Sequence, residues 1–499
     1  MHLLSKSTYI KGRQCPKVLW LYKHRRDLLP PVDAAQQAMF DTGKEVGLLA
    51  QQLFPGGVDC TPEHYYDFGP SVVATQAAIA RGERVIYEAA FLHDGVLVAL
   101  DILVRDAEGW KAYEVKSSTG AKEYQWHDAA LQAHVIEGNG LKLVDVCIVH
   151  LNNAYVRQGA LDVQQLFAIS SVKAEVDRER LDVPARIEAL KAVLLLPEAP
   201  AVDIGPQCGS PFACDFKHHC WAHVPTEGSV FGLARAMGRE WELYRAGILL
   251  LKDVPEATEL SPAQRRQVEG AKHGHATLDV PALRRWLSEL RYPLYHFDFE
   301  TFMPAVPLFE DTRPYQQLPF QYSVHVQRTP GAAPEHREFL ADGSGDPREA
   351  LTRALIQDLG GTGDVLAYNA PFEKQRLQEL ARDLPQHAPA LERILARLKD
   401  LHTPFKAGWY VVPAMNGRTS IKVVLPALVP ALSYADLNVQ EGGTASLLFT
   451  QLVTGHYPGD VGQLRADLLA YCGLDTLAMV KVLEVLERAA NGTEDPITP

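Results

Sequence analysis

No apolar run in the 499-residue sequence reaches about 18 residues, and the longest candidates are interrupted by Pro413, Pro426 and Pro430, so no membrane span is expected. The N-terminus carries no long apolar segment, so no secretion signal is expected either, and the expected location is the cytoplasm. Cysteine is sparse, seven in all. In a chain without a secretion signal, that argues against a disulfide framework. There is no internal repeat and no low-complexity tract. No G-x4-G-K-[ST] stretch occurs, which excludes a P-loop motor within this chain. The net charge of −12 argues against a non-specific coat for nucleic acid. What remains is ordinary for a soluble globular chain long enough for two or three domains: 47% hydrophobic and 22% charged residues.

Charge is distributed unevenly. Residues 1–30 hold Lys6, Lys11, Arg13, Lys17, Lys23, Arg25 and Arg26 against Asp27 alone. Such a strip can contact phosphates or be a solvated helix face. Ser5 or Ser7 is placed to cap a helix here. Further helices are expected over 35–54, 71–81 and 160–195, with a strand over 142–151.

The densest chemistry lies between Tyr87 and Gln132. Gly95–Val104 is an apolar strand with Asp101 near its end; Asp106, Glu108 and Gly109 mark a turn; Trp110–Ser117 is the next strand, and a helix follows. Residues two apart in a strand share a face, so Glu114 and Lys116 project together and Asp101 comes level with Glu114 from the neighbouring strand. Two carboxylates and an amine suit phosphodiester hydrolysis with Mg2+ or Mn2+, hard ions that take oxygen ligands and activate water. The lysine can orient that water. Glu88 offers another oxygen, and Gln132 can position the strand or a nucleic-acid backbone. A salt bridge on an ordinary hairpin is the competing reading.

The D-x12-E-x-K spacing, with Glu88 upstream and the DAALQ helix downstream, resembles the PD-(D/E)xK nuclease superfamily, most closely its RecB-like and Cas4-like branch. The resemblance covers roughly the first 225 residues. It implies a restriction-endonuclease-like α/β domain that acts on DNA, as single strands or ends. Many members carry a histidine on an early helix after a glycine. Here that helix reads FDTGKEVGLLAQQLF, with Glu45 and no histidine.

Cys208, Cys214 and Cys220 lie within thirteen residues, each pair separated by five. Clustered thiols in a cytosolic chain point to metal. Zinc is one candidate, with His218, His219 or His223 as fourth ligand. The resemblance to RecB-like and Cas4-like nucleases implies instead a [4Fe-4S] cluster held by Cys15 together with the later trio, although their spacing departs from the commoner C-x2-C-x5-C. Its role would be to staple the domain together. Cys60, Cys147 and Cys472 read as core thiols.

Residues 226–290 read as a helical connector, with an amphipathic helical pair in GLARAMGREWELYRAGILLLKDV. From Tyr292 the pattern changes. YPLYHFDFETF is a strand with Asp298 and Glu300 on one face; strands follow at 319–328 and 364–368, then the turn NAPFEKQRLQEL into a helix. In the last long helix Tyr471 and Asp475 are four apart and share a face. Asp298, Glu300 and Asp475 can converge at the end of a mixed sheet for two-metal hydrolysis, with Tyr471 orienting the water. This order resembles the DEDD exonucleases of the ribonuclease H-like superfamily. That family's middle aspartate is replaced here by Glu373, with Asp400 as a competing and preferred ligand. Arg418, Ser420 and Lys422 are candidates for contact with a nucleic-acid backbone, or Lys422 is a plain surface lysine.

Taken whole, the chain resembles the bacterial DUF2779 family, which joins these two units. The expectation is an α/β protein: a PD-(D/E)xK domain over 1–225, a helical connector over 226–290 and a ribonuclease H-like domain over 291–499. It would be a metal-dependent nuclease with two separate sites, in repair or in defence against foreign DNA, working with a helicase or another repair or defence protein. Two alternatives stay open. One is a nucleic-acid-binding or scaffold protein with one or both sites inactive, which the absent early histidine and Glu373 favour. The other is an RNA-processing exonuclease.

Overall fold

The apolar strands expected around residues 95–117 form the middle of a larger sheet. A computed structural model describes residues 4–64 and 67–492; the outermost expected domain limits, residues 1 and 499, lie outside the described residues. The chain divides into two units, Met1–His223 with Pro304–Gln316, and Val224–Met303 with Gln317–Pro499.

The first unit opens with β1 (Leu4–Ser5), α1 (Lys6–Gln14), α2 (Pro16–His24), α3 (Ala34–Ala50), β2 (Val58–Asp59) and α4 (Gly69–Arg81). It continues with β3 (Val85–His93), β4 (Val96–Arg105), β5 (Trp110–Lys116), α5 (Glu123–Gly138), β6 (Leu143–Leu151) and β7 (Phe167–Ser171). The sheet order is β2-β3-β4-β5-β6-β7, with β1 parallel to β4. β5 and β6 are parallel, so their connection must cross over, and α5 does so. Ala129, Ala130, Leu131, Val135 and Ile136 of α5 pack on Ile86, Phe91, Leu100 and Ile148 of the sheet. Four strands lie outside the expectation, of which β1 and β2 are two residues each. β3 continues the hairpin upstream. β7 interrupts the span expected to be helical: Phe167-Ala-Ile-Ser-Ser alternates between buried and exposed and pairs antiparallel with β6. That period of two outweighs the helical spacing of its flanks.

Residues 304–316 join the first unit because Arg157 holds them. Its Nη1 donates to Pro307 O at 2.9 Å and Leu308 O at 3.0 Å, and Ala305 enters an apolar cluster with Tyr113 and Val149.

The second unit contains α6 (Arg239–Arg245), α7 (Pro262–His273), β8 (Thr277–Leu278), α8 (Val280–Ser288), β9 (Leu294–Phe302), β10 (Leu318–Gln327) and β11 (Glu335–Leu340). After these come β12 (Asp364–Ala367), α9 (Pro371–Asp383), β13 (Leu398–Asp400), β14 (Tyr410–Val411), α10 (Ile421–Leu428), α11 (Gly442–Val453) and α12 (Val461–Asn491). The region expected as a connector is part of this unit. β8 pairs with β14, Gln267 Nε2 donates to Gly232 O at 2.6 Å, and Gly228 N donates to Asn416 Oδ1 at 2.8 Å. The expected amphipathic helical pair is reduced to α6, because Arg235, Met237, Gly238 and Gly247 all adopt positive φ and break the helical path.

A mixed sheet in the order β11-β10-β9-β12-β13 forms the centre. β9 is antiparallel to β10 and parallel to β12. The register sets Asp298 opposite Ser323 and Glu300 opposite Gln321. Along α12, Leu468, Tyr471, Cys472, Asp475 and Met479 are buried, so the apolar face of this 31-residue helix carries the two polar site residues inward.

Two candidate metal centres

In the first unit Tyr87 pairs with Ile102, and Ala89 with Leu100, which leaves Glu88 opposite Asp101. Glu88 has a φ of 51°, a conformation few non-glycine residues adopt and one that recurs at functional sites. Ile102 pairs with Tyr113, so Asp101 lies level with Glu114 as expected. Its Oδ2 accepts from Val115 N at 2.6 Å. Glu114 is 2% exposed. Its Oε1 accepts from both Lys116 Nζ and Lys6 Nζ at 2.6 Å, and its Oε2 from Gln132 Nε2 at 2.7 Å. Asp128, one turn before Gln132 on α5, takes a second bond from Lys116 at 3.1 Å and lies 3.9 Å from Lys6.

Lys6 and Asp128 are additions to the expected set. Lys6 was legible only as part of a basic strip, since it reaches Glu114 across 108 residues of sequence. Ser5 caps α1 through a capping box, and β1 pairs with β4, so the backbone leading into Lys6 is fixed. Asp128 had a signal, the i, i+4 spacing to Gln132. Glu45, on the helix without the early histidine, is exposed.

Burial alone would raise Glu114, but Lys116 and then Lys6 overcome it and hold the carboxyl well below its usual range. Burial and the charge on Glu114 push Asp101 well up and Glu88 up to about 7. Burial would lower both lysines, yet Asp128 and Glu114 keep them protonated.

Cys15, at the junction of α1 and α2, shares a small apolar core with Phe216, Cys214 and Cys220. Burial pushes the Cys214 thiol up to about 11, and Cys208, Cys220 and Cys15 add to the rise, so the four sulfurs act on one another. α1 is further tied to this loop by the Lys11–Asp215 ion pair and by Gln14 Nε2, which donates to Gln207 O and Phe212 O at 2.7 and 2.8 Å. His218, His219 and His223 are exposed. Among the described residues, the one group of three or more candidate ligands with atoms within 4.8 Å of each other is Asp298, Glu300 and Cys472; the four cysteines are spread more widely.

In the second unit Asp298, Glu300, Glu373, Tyr471 and Asp475 line one cavity of about 410 Å³, with Lys422 and Gly442. Glu300, Glu373 and Asp475 are 6%, 2% and 7% exposed. Glu373 comes in because Asn369 takes a φ of 71° and Pro371 starts α9, so the first turn of α9 faces the sheet end. Asp400, the group expected in the third acidic position, lies beside Glu373. Asp400 Oδ1 accepts from Asn369 N and His402 N, both at 3.0 Å; it stabilises the turn that presents Glu373 and does not line the cavity.

Burial is the first cause of the raised carboxyls here, followed by their neighbours. Glu300 is pushed up to about 8, with Asp475 adding to burial. Glu373 also rises to about 8, with Asp400 adding to burial. Asp298 stands well above its usual range under burial and then Asp475, Glu373 and Glu300. Burial raises Asp475 only to about 6, because Tyr434, Lys422 and Tyr471 oppose it. Asp298 lies beside Glu373 and opposes part of its rise. Glu373 Oε2 is buried without a hydrogen-bond partner.

Three further residues belong to this cavity. Lys422 Nζ donates to Tyr471 Oη and to Gln440 O, both at 2.8 Å, so it is no plain surface lysine. Tyr434 Oη donates to Asp475 Oδ1 at 2.7 Å. Cys472, expected as a core thiol, is fully buried but lies against the acidic pair; burial and then Asp298 and Glu300 raise its thiol, keeping it neutral. Nothing short-range in the sequence links Tyr434 to Asp475, 41 residues away.

Among the described residues, no helix is long and apolar enough to cross a membrane. An uncharacterized protein of Mycoplasma pneumoniae, described as a homolog of MG366, is 25% identical over 214 residues. The uncharacterized protein MG366 of Mycoplasma genitalium is 22% identical over 216 residues. Each alignment covers 39% of this chain and 32% of the relative, so the chain spans about a third of the length of the curated relatives it matches. The stretch from β9 to the turn before α10, residues 295–420, matches the model of the domain of unknown function DUF2779.

Proposed function

We propose that the protein is a divalent-cation-dependent nuclease, with a PD-(D/E)xK-like first unit and a ribonuclease H-like exonuclease second unit. The observation that carries this is the second cavity: four carboxyl groups, three of them nearly buried, with Lys422 as the only cation among its lining residues. A hard cation fits that donor set, and the unpartnered Glu373 Oε2 is an oxygen left for it. Asp298, Glu300, Glu373 and Asp475 would hold it. When bound, Mg2+ or Mn2+ supplies an activated water and offsets charge on the phosphate. Lys422 donates to the Tyr471 oxygen, which leaves the Tyr471 proton for Asp475. Burial lifts the Tyr471 hydroxyl far above its usual range, so it acts as a fixed donor and not as a base. Tyr434 holds the other side of Asp475. These bonds set the carboxylate's orientation before any ligand arrives, which is the preorganisation that hydrolysis needs.

In the first unit Asp101, Glu114 and Glu88 would hold a cation, with Lys116 beside them. A second reading, nucleic-acid binding without cleavage, is favoured here by one observation: Glu114 already accepts three bonds from Lys6, Lys116 and Gln132. The cysteine quartet is proposed to hold a [4Fe-4S] cluster.

The test uses end-labelled single-stranded oligonucleotides, one end blocked at a time, with Mg2+, Mn2+ or EDTA. Cation-dependent trimming from the 3′ end, lost in Asp298→Asn, is the expected result. Trimming that survives in EDTA, or an unchanged Asp298→Asn protein, rules out the second site. For the quartet, anaerobically purified protein should be brown and Cys214→Ser colourless; colourless wild type with one equivalent of zinc sinks the cluster.

A further inference from the structure

One six-residue segment, Gly417–Lys422, joins the acidic cavity of the second unit to a separate slot. At its far end Lys422 reaches Tyr471. At its near end Gly417, Arg418 and Thr419 line the slot, together with Arg235, Lys406, Phe405 and Tyr410. Thr419 is pinned between the two: its carbonyl accepts from Tyr368 Oη at 2.7 Å, and its Oγ1 lies 2.7 Å from His402 Nε2. Tyr368 itself lines the acidic cavity. An aromatic row continues from there, Tyr368 to His402 at 5.0 Å, Tyr368 to Phe405 at 6.4 Å and Phe405 to Tyr410 at 6.1 Å.

The rim of the slot is cationic. Arg235, Lys406 and Arg418 are exposed, and among the described ion pairs none of the three meets a carboxylate. Arg235 is held in place: its φ is 48°, and its Nη2 donates to Lys406 O at 3.2 Å. Three uncompensated cations on a surface of a chain with net charge −12 mark a site for an anion. Phe405 and Tyr410, 3% and 2% exposed, form a packed floor beneath them, so the contacts offered to a ligand are the rim cations, which suit a chain of phosphates.

We propose that this slot binds the sugar–phosphate backbone of a single-stranded nucleic acid and feeds its end along Gly417–Lys422 to the acidic cavity. The inference rests on the nuclease reading of the second unit for its direction, but its test does not depend on cleavage. A flexible acidic peptide is the competing occupant, and the continuity of the slot with the acidic cavity through Gly417–Lys422 favours the nucleic acid.

Fluorescence anisotropy of labelled 20-mers of DNA and of RNA, in EDTA and over a salt series, decides it. The triple variant Arg235→Ala, Lys406→Ala, Arg418→Ala should bind at least tenfold more weakly. The slope of log affinity against log salt should fall by about 2, near 0.7 for each lost phosphate contact. The single variant Arg418→Gln, exposed and neutral, should lose several-fold and guards against misfolding of the triple. Asp298→Asn should bind like wild type. Wild-type affinity and slope in the triple variant overturn the slot, as does an oligonucleotide-free wild type at low salt, or a poly-glutamate 20-mer that competes as well as DNA. If the triple variant loses binding while Asp298→Asn still trims 3′ ends at the wild-type rate, the slot stands and the hydrolytic site proposed for the second unit falls. If wild type cleaves and the triple variant keeps its KM, the reverse holds.

Discussion

Glu114 in the first unit and Glu373 in the second are equally buried, at 2% exposure each, and burial pushes both carboxyls upward. Glu114 nevertheless stays well below its usual range, while Glu373 rises to about 8. The difference lies in their partners. Two ammonium groups and an amide surround Glu114. Glu373 faces other carboxyl groups, with an oxygen unpartnered. Burial therefore does not fix the charge of an acidic site; the opposite charges built around it do. The chain's own cations outweigh burial in the first site, while in the second Lys422 and Arg376 offset it only in part.

The largest effect expected from this contrast is on cleavage. Glu373→Gln keeps shape and removes a ligand charge, so trimming of 3′ ends should fall by about 10²–10⁴-fold. Asp400→Asn keeps the oxygen that accepts from Asn369 N and His402 N, and should cost less than about tenfold. Single-turnover rates with excess enzyme measure both. Equal losses in the two variants would return Asp400 to the ligand set.

A smaller effect should appear in the first site. Lys6→Ala removes one of the two charges on Glu114. In an Asp298→Asn background, where the second site is disabled, Mn2+ should bind the first unit about tenfold more tightly, because a neighbouring cation no longer opposes it. The same change should cost roughly 1–3 kcal/mol of stability, since it weakens a mostly buried charge network. Calorimetric titration reads the first and urea unfolding the second. Unchanged Mn2+ affinity would mean that Lys6 does not compete with a cation.

The contrast also marks what could be read in advance. Asp101, Glu114 and Lys116 were legible because strand period and turn chemistry are local. Asp298, Glu300, Tyr471 and Asp475 were legible for the same reason, each pair sitting on one strand or one helix face. Lys6, Lys422 and Tyr434 were not, because each reaches its partner across tens of residues and only the tertiary fold sets that distance. The choice between Glu373 and Asp400 turned on one left-handed residue, Asn369, which swings α9 toward the sheet. The connector failed as a separate element because four positive-φ residues between Arg235 and Gly247 replace helix with loop, and that loop packs into the second unit.

The smallest expected effect is also the one that separates the sites by sign. Glu300 and Glu373 rise to about 8 and Asp475 to about 6 in the folded protein, above ordinary carboxyl values of about 4. Between pH of about 4 and 8 the folded second site therefore holds more protons than the unfolded chain. Its contribution to stability must fall as pH rises through that window. Glu114 behaves oppositely. Its folded value lies below the unfolded one, so its contribution is fully present above pH of about 4.5 and is lost only as pH falls. In EDTA, Glu373→Gln should thus raise the unfolding temperature at pH 8 by a few degrees relative to wild type, and much less at pH 5. Glu114→Gln should lower it at pH 8, where the charge pairs with Lys6 and Lys116 are lost. Saturating Mg2+ should abolish the advantage of Glu373→Gln, because the cation compensates the ionised carboxylates of wild type and finds one fewer ligand in the variant. Scanning calorimetry of the three proteins at the two pH values measures this. A Glu373→Gln protein less stable than wild type at pH 8 in EDTA would mean that the second cavity is not electrostatically strained, and the distinction between the two sites would fail.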